Sequence, residues 1–232
     1  MRRIKHNSFR AVAAAAVIAG LGVAGCSSGG ASSAPGANGP SVASLISSMK
    51  AGFASAKSVR MSGTLHEQGK TVALNLGMLR SGDMSGTLSV NSAHLTIVVA
   101  GGKAYELVTK AFFRTIQQES HVPSSVCAVM CGKYLEVPIS SFSTFNLPGM
   151  TGQIEKKIPV AKAVRSVRDT TFRGQPAYEL SGSNNTKLYL ATSSPHYLLG
   201  MSVGTFGTLN FSDWNSVPPV QPPPASQVYK LG

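Results

Sequence analysis

One pentapeptide of the sequence has the spacing of a nucleophilic site. Gly200-Met201-Ser202-Val203-Gly204 matches G-x-S-x-G, in which a serine at a strand-to-helix turn attacks an ester. That chemistry also needs an acid and a histidine later in the chain. The last histidine, His196, precedes the serine, and the surrounding residues alternate as in a β-hairpin. We therefore interpret these glycines as turn and packing residues rather than as part of a hydrolase site.

The acidic residues and histidines do not form a motif either. The nine Asp and Glu residues are widely spaced, whereas glycosidase and calcium chemistry need carboxylates that come together. The histidines stand alone, and the sequence has no phosphate-binding glycine loop. We therefore expect a protein that is not an enzyme and has no metal and no cofactor.

The N-terminus has the pattern of an export signal. Arg2, Arg3 and Lys5 precede an unbroken apolar run from Ala11 to Leu21. A basic segment followed by a short apolar run is typical of a secretory signal peptide. The run is shorter than the roughly 20 residues that a membrane-spanning helix needs.

The cleavage region reads Val23-Ala24-Gly25-Cys26, which resembles the bacterial lipobox. Small residues let an extended chain enter the signal peptidase, and the cysteine thiol is the nucleophile that takes up a diacylglyceryl group. We therefore expect cleavage before Cys26 and a lipid-anchored chain, with acyl groups such as palmitate, on the extracytoplasmic face of the cell membrane. The alternative is an ordinary signal peptide followed by a chance cysteine.

Three residues separate the other two cysteines, Cys127 and Cys131. Outside the cytosol such a pair is most simply a disulfide, which here would hold a local turn. A zinc site that uses His121 is an alternative, but zinc ligands usually come in fours with a second close pair. A redox pair is a further alternative, although the usual redox motif has two intervening residues.

Composition divides the chain into three parts. Residues 1–25 form the signal peptide, residues 26–40 the lipidated cysteine with a flexible Ser/Gly-rich tether, and residues 41–232 one folded domain. Without the four basic residues of the signal, the formal net charge falls from +12 to +8. This charge either attracts anionic head groups or wall polymers, or simply forms a solvated surface. The basic residues are scattered, so we expect no nucleic acid partner.

Apolar periodicity predicts one helix followed by antiparallel hairpins. Ser41 to Lys57 has helical spacing, with Ser41 as the N-cap. Alternating segments separated by glycine turns predict strands with one covered face. In the first half these segments are Val59–Leu65, Val72–Met78, Leu88–Val90, Leu95–Val99, Tyr105–Leu107 and Phe113.

The second half repeats this pattern after an interruption. Residues 118–160 predict short helices and loops, packed over one face of the sheet. The strands predicted after them are Ala163–Phe172, Pro176–Ser181, Lys187–Ala191, Tyr197–Val203 and Thr208–Trp214. Residues 217–224 contain five prolines, which predict an extended, polyproline-like strap.

Several stretches carry a resemblance to a known family. They are Leu45–Met49 through Ser62–Leu65, Leu198–Met201, Leu209–Asn215 and Pro222–Pro224. Together with the order of elements, they resemble mycobacterial lipoproteins of the LppX/LprG type, which are similar in fold to the periplasmic lipoprotein carriers of Gram-negative bacteria. The resemblance implies an α+β fold, a curved antiparallel half-barrel with helices covering its concave face. Cys127 and Cys131 are not part of the family pattern.

The resemblance also implies a function. The protein would bind or carry a lipid or lipoglycan in an apolar cavity, with the membrane and an envelope transporter as its other partners. The expected cavity lining is the alternating apolar face of the first hairpins, namely Val72, Leu74, Leu76, Met78, Leu88, Val90, Leu95, Ile97 and Val99. The alternative is a surface-tethered interaction or scaffold module of the cell envelope, with no cargo, in which these side chains fill an ordinary core.

Overall fold

The structure is a computed structural model that describes residues 39–67, 69–90, 93–120, 123–143, 146–147, 149–150, 164–183 and 185–229. The expected signal peptide, the expected lipidation site at Cys26 and nearly all of the expected tether lie outside these residues.

Twelve strands form one sheet in the described part of the chain. The first six are β1 (Ser58–Glu67), β2 (Lys70–Leu79), β3 (Met84–Val90), β4 (Ala93–Ala100), β5 (Lys103–Leu107) and β6 (Tyr134–Val137). The others are β7 (Val164–Phe172), β8 (Gln175–Gly182), β9 (Thr186–Ala191), β10 (Leu198–Val203), β11 (Gly207–Ser212) and β12 (Val228–Tyr229). The α-helices are α1 (Val42–Ser55), α2 (Lys110–Ser120) and α3 (Ser125–Met130), and 3₁₀ turns cover Ile139–Phe142 and Ala225–Gln227.

The sheet consists of two antiparallel meanders joined at one seam. The strand order is β12-β6-β5-β4-β3-β2-β1-β11-β10-β9-β8-β7. Consecutive strands pair antiparallel within each half. Short turns that contain glycine connect several of these pairs, such as β1–β2, β4–β5 and β7–β8, whereas α2 and α3 lie between β5 and β6. The seam is the antiparallel β1–β11 pair, which runs from Arg60 opposite Ser212 to Leu65 opposite Gly207. At the far edge β12 pairs with β6 in parallel, so the sheet is mixed.

Helix α1 covers the apolar face of this sheet, which we call the inner face. Leu45, Ile46, Met49 and Phe53 recur at helical spacing and are buried in the main core cluster with side chains from both meanders. The amide of Ser44 donates to the Ser41 side chain at 3.1 Å, which confirms the predicted N-cap.

Glycine is required at the seam between the meanders. Gly63 has φ 154°, and a Cβ atom there would collide with the carbonyl oxygen of Thr208. Gly207 has φ 132°, and a Cβ atom there would collide with the carbonyl oxygen of Thr64. The two backbones therefore approach each other more closely than side-chain-bearing residues permit.

The proline-rich C-terminal segment crosses the opposite face, which we call the outer face. Residues 217–224 form neither helix nor strand. The Val217 amide donates to the Ser58 hydroxyl at 3.1 Å, and at the other end Lys133 donates to the carbonyl of Ser226 at 3.0 Å. Eight residues of extended, polyproline-like chain span about 25 Å, and the 3₁₀ turn Ala225–Gln227 adds about 6 Å. The six strand spacings from β1 to β12 add up to about 29 Å. The segment therefore crosses the first meander almost straight, and we call residues 217–227 the strap.

The expected α+β half-barrel is wrong. The residues that the structure describes form mostly a twelve-stranded mixed sheet, with 49% strand, 22% helix and three short helices. The prediction was one curved antiparallel sheet with residues 118–160 as part of a helical cover. Instead, that segment contributes β6, which extends the sheet, and β12 pairs with β6 in parallel, so the sheet is not purely antiparallel.

Two local predictions are corrected in the same region. Phe113, expected in a strand, lies in α2. The prediction failed because a single aromatic residue is compatible with both strand and helix periodicity. Residues 118–160, expected as helices and loops, contain α3 but also β6. β6 has only four residues, which is too short to show a clear alternation of apolar and polar residues in the sequence. Its hydrogen bonds to β5 define it as a strand.

We expect Gly63→Ala to lower the free energy of unfolding by about 3 kcal/mol, from backbone strain plus the forced displacement of Thr208. Chemical denaturation would measure this. Gly82→Ala is the matched control, because Gly82 also has a positive φ (95°) but open space around its Cβ position, and it should lose only about 1 kcal/mol. Equal losses would show that the seam tolerates a side chain.

Candidate functional site

The nine residues predicted as a cavity lining share the inner face. Cross-strand register places them opposite one another, as in Val72 with Val90 and Leu88 with Leu95. Eight of them are buried in the main core cluster, and Val90 packs against it. The structure therefore brings the whole predicted set together, in contact with α1 and with apolar residues of the second meander.

Methionines are concentrated in the same cluster. Five of the eight in the chain are buried there: Met49, Met61, Met78, Met84 and Met150. Unbranched thioether side chains have many accessible rotamers and fill irregular space. The inner face also carries glycines within its apolar rows, such as Gly86 between Leu76 and Ile97. The interior therefore includes flexible thioether side chains and inner-face positions that lack a side chain.

Arg80 holds the C-terminal end of α1 on the sheet. Its Nε donates to the carbonyl of Ala56 at 2.9 Å, and its guanidinium also donates to the carbonyl of Phe53. These carbonyls have no partner within the helix, and a cation is favourable beside them. Arg80 therefore fixes α1 relative to the end of β2.

The turn after β11 fixes the same junction from the second meander. Asp213 and Asn215 adopt positive φ values of 50° and 63°. The side-chain oxygen of Asn215 accepts a hydrogen bond from the Lys57 backbone amide at 2.7 Å. The backbone amide of Asn215 donates to the Ser58 carbonyl at 2.9 Å. Asp213 pairs with Arg60 at 2.7 Å. The connection between α1 and β1 is thus tied to the end of β11.

Glu106 is an acidic residue on the inner face. It lies opposite Ile97 of β4 and Leu135 of β6, and directly paired residues project from the same face of a sheet. Its same-face neighbours along the chain are Ala104 and Val108, which are 0% and 2% exposed. All four flanking side chains are therefore apolar, and Glu106 itself is half-buried.

Burial raises the pKa of Glu106 from the usual 4.5 to about 7. No hydrogen bond or ion pair to its carboxylate occurs among the described residues. Lys103 on the same strand instead pairs with Glu136 at 2.9 Å, and Glu136 lies opposite Tyr105 on the outer face. Glu106 therefore remains an unpaired acid beside two apolar clusters, because Ile97 belongs to the main cluster and Leu135 to a smaller one.

Glu179 shows the opposite arrangement. It is 3% exposed and accepts from Arg168 at 2.9 Å and from Ser181 at 2.9 Å, with Lys187 at 3.3 Å. Burial alone raises the pKa of Glu179, but the donors from these three residues outweigh it and the pKa is lowered. This carboxylate is satisfied within the protein and has a structural role.

The disulfide region forms a separate small unit. Cys127 and Cys131 are bonded, with Cα atoms 4.8 Å apart. Both half-cystines pack beside the smaller cluster of Val108, Phe113, Met130 and Leu135. His121, considered as a zinc ligand with these cysteines, lies outside the described residues. No group of three or more His, Cys, Asp or Glu side chains arranged for a metal occurs in the part of the chain that the structure describes.

The G-x-S-x-G pentapeptide does not form a nucleophile elbow. Ser202 lies inside β10 opposite Thr208, and Gly204 follows in a turn to β11 with φ 45°. A strand-to-strand turn does not present the serine as the hydrolase motif requires.

Comparison with known proteins adds no family. No family model matches the chain, and no curated protein matches it. Within the described ranges, no helix is both long and apolar enough to cross a membrane.

Glu106 gives a pH prediction. The folded state binds the Glu106 proton more tightly than the unfolded state, so the free energy of unfolding should fall as the pH rises from about 4.5 to about 7 and then level off. We expect a fall on the order of 1–3 kcal/mol, since the half-buried side chain keeps some solvent contact. Glu106→Gln should remove this fall, as measured by denaturant unfolding across pH. Glu179 titrates in a lower window and with the opposite sign, so an unchanged slope in Glu106→Gln would contradict the assignment.

Proposed function

We propose that this protein is a lipid-anchored lipoprotein of the bacterial cell envelope that binds or carries a lipid or lipoglycan in its apolar interior, without catalysis. Lipid on Cys26 would hold it at the extracytoplasmic face of the membrane. The observation that carries the proposal is the methionine-rich cluster between α1 and the inner face, into which the expected lining residues are gathered.

The composition of this cluster supports an adaptable interior. Leu76 is 1% exposed and lies between Met61 and Gly86 in one cross-strand row. A flexible thioether on one side and a missing side chain on the other let such a row rearrange around an acyl chain at modest cost.

The mechanism would be physical. Each acyl CH₂ group that leaves water for an apolar interior contributes about 0.8 kcal/mol. The protein needs to supply apolar area and exclude water, and no bond is made or broken. An anchor of two or three acyl chains would keep it close to the membrane from which the ligand is taken.

Leu76→Trp tests whether the inner face accommodates cargo. We expect the variant to stay folded, with its free energy of unfolding lowered by about 1–3 kcal/mol, and to copurify with less than half the lipid, because the indole takes the ligand's space. Thr87→Trp adds the same bulk at an exposed position on the outer face and should change neither quantity. Unfolding of Leu76→Trp would instead identify Leu76 as part of a filled core.

The proposal as a whole is tested by lipid extraction and mass spectrometry on Cys26→Ala, exported through its own envelope and purified without detergent. Because this variant has no attached lipid, any lipid found is cargo. A defined, stoichiometric lipid or lipoglycan is the expected result. A stable and empty protein would favour the surface-tethered interaction module instead.

A further inference from the structure

The inner face contains a row of residues that ends beside a carboxyl group. Direct cross-strand pairs connect Met61 to Leu76, Leu76 to Gly86, Gly86 to Ile97 and Ile97 to Glu106. Each step is one strand spacing, so the row from Met61 to Glu106 is about 19 Å long. The four residues of the row before Glu106 are apolar or, at Gly86, lack a side chain.

The carboxyl of Glu106 has no protein group to satisfy it within the described residues. An unpaired carboxyl facing apolar neighbours is unfavourable unless a hydrogen-bond partner is supplied. An ionised carboxylate accepts hydrogen bonds only, and a protonated one can also donate. Its partial exposure leaves it reachable from outside the protein.

We propose that Glu106 binds the polar end of a lipid by accepting hydrogen bonds from its hydroxyl groups, while the acyl chain packs along the Ile97–Gly86–Leu76–Met61 row, and that it rejects lipids with an anionic head. This inference rests on the proposed function, since it assigns polarity and specificity to the same interior. Hydroxyl groups would satisfy the acceptor oxygens. A phosphate would bring a second negative charge into a poorly solvated site, where repulsion between like charges is strong.

Two features of the site support the assignment. The raised pKa of Glu106 results from burial, which indicates that the surrounding side chains do not neutralise it. The nearest strand neighbour with a comparable group, Glu136, lies on the other face and is paired with Lys103. Glu136 therefore provides a matched control on an adjacent strand.

The test uses two probes that differ only in the head group, 1-lauroylglycerol and 1-lauroylglycerol 3-phosphate. Binding to the exported Cys26→Ala chain is measured by calorimetry at pH 8, where Glu106 is ionised, for the parent and for Glu106→Gln, Glu106→Leu and Glu136→Gln. We expect the parent to bind the uncharged lipid at least tenfold more tightly than the phosphate. Glu106→Gln should reduce this preference below threefold, because it should strengthen binding of the phosphate probe. Glu106→Leu should weaken binding of 1-lauroylglycerol at least fivefold.

The outcomes separate this inference from the function beneath it. If the parent binds both probes and Glu106→Gln keeps the parent's preference, the role of Glu106 is overturned while lipid binding stands. A similar loss of preference in Glu136→Gln would also overturn it, since a general charge effect would then be responsible. If the parent binds neither probe and Cys26→Ala also purifies without lipid, the proposed function fails and this inference fails with it.

Discussion

The pairing of β1 with β11 is the contact on which the rest of the structure depends. It joins strands that are about 150 residues apart in the chain and makes two meanders into one sheet. Their inner faces thereby become one apolar surface, and α1 packs against side chains from both. The polar contacts of Asp213 and Asn215, together with the close approach at Gly63 and Gly207, converge on this seam. Since nonlocal pairing costs chain entropy before it adds contacts, the seam is where such reinforcement is needed.

Glu179 and Glu106 show how the same type of side chain acquires different roles. Glu179 is surrounded by donors on the outer surface of β8 and its neighbours, and its charge is stabilised by the fold itself. Glu106 lies among apolar residues without such donors. A protein that needs only stability gains nothing from the second arrangement, because an aliphatic residue at that position would avoid the desolvation cost. That contrast makes Glu106, rather than Glu179, the informative residue for function.

Local patterns in the sequence predicted most strands and the shared face of the nine apolar residues. The strand β7, for example, was predicted to within one residue at its start, because alternation is a property of neighbouring residues. Pairing across the seam was not predictable, since no local signal says which distant edges meet. Glu106 was missed for a related reason. Tyr105 and Leu107 were taken as the covered side of β5, but register with Ile97 turns Glu106 inward. Tyr105 faces outward and is nevertheless 7% exposed, on the face that the strap crosses.

The strap has a consequence for how the interior can open. It has little slack between the Ser58 end of β1 and β12 at the sheet edge, so it connects the two sides of the first meander across its strands. Those strands cannot spread apart or curl further toward α1 without stretching or detaching it. The second meander has no such tether among the described residues. Movement that admits a bulky molecule would therefore arise on the β7–β11 side or through displacement of α1, and the first meander would stay as the fixed wall.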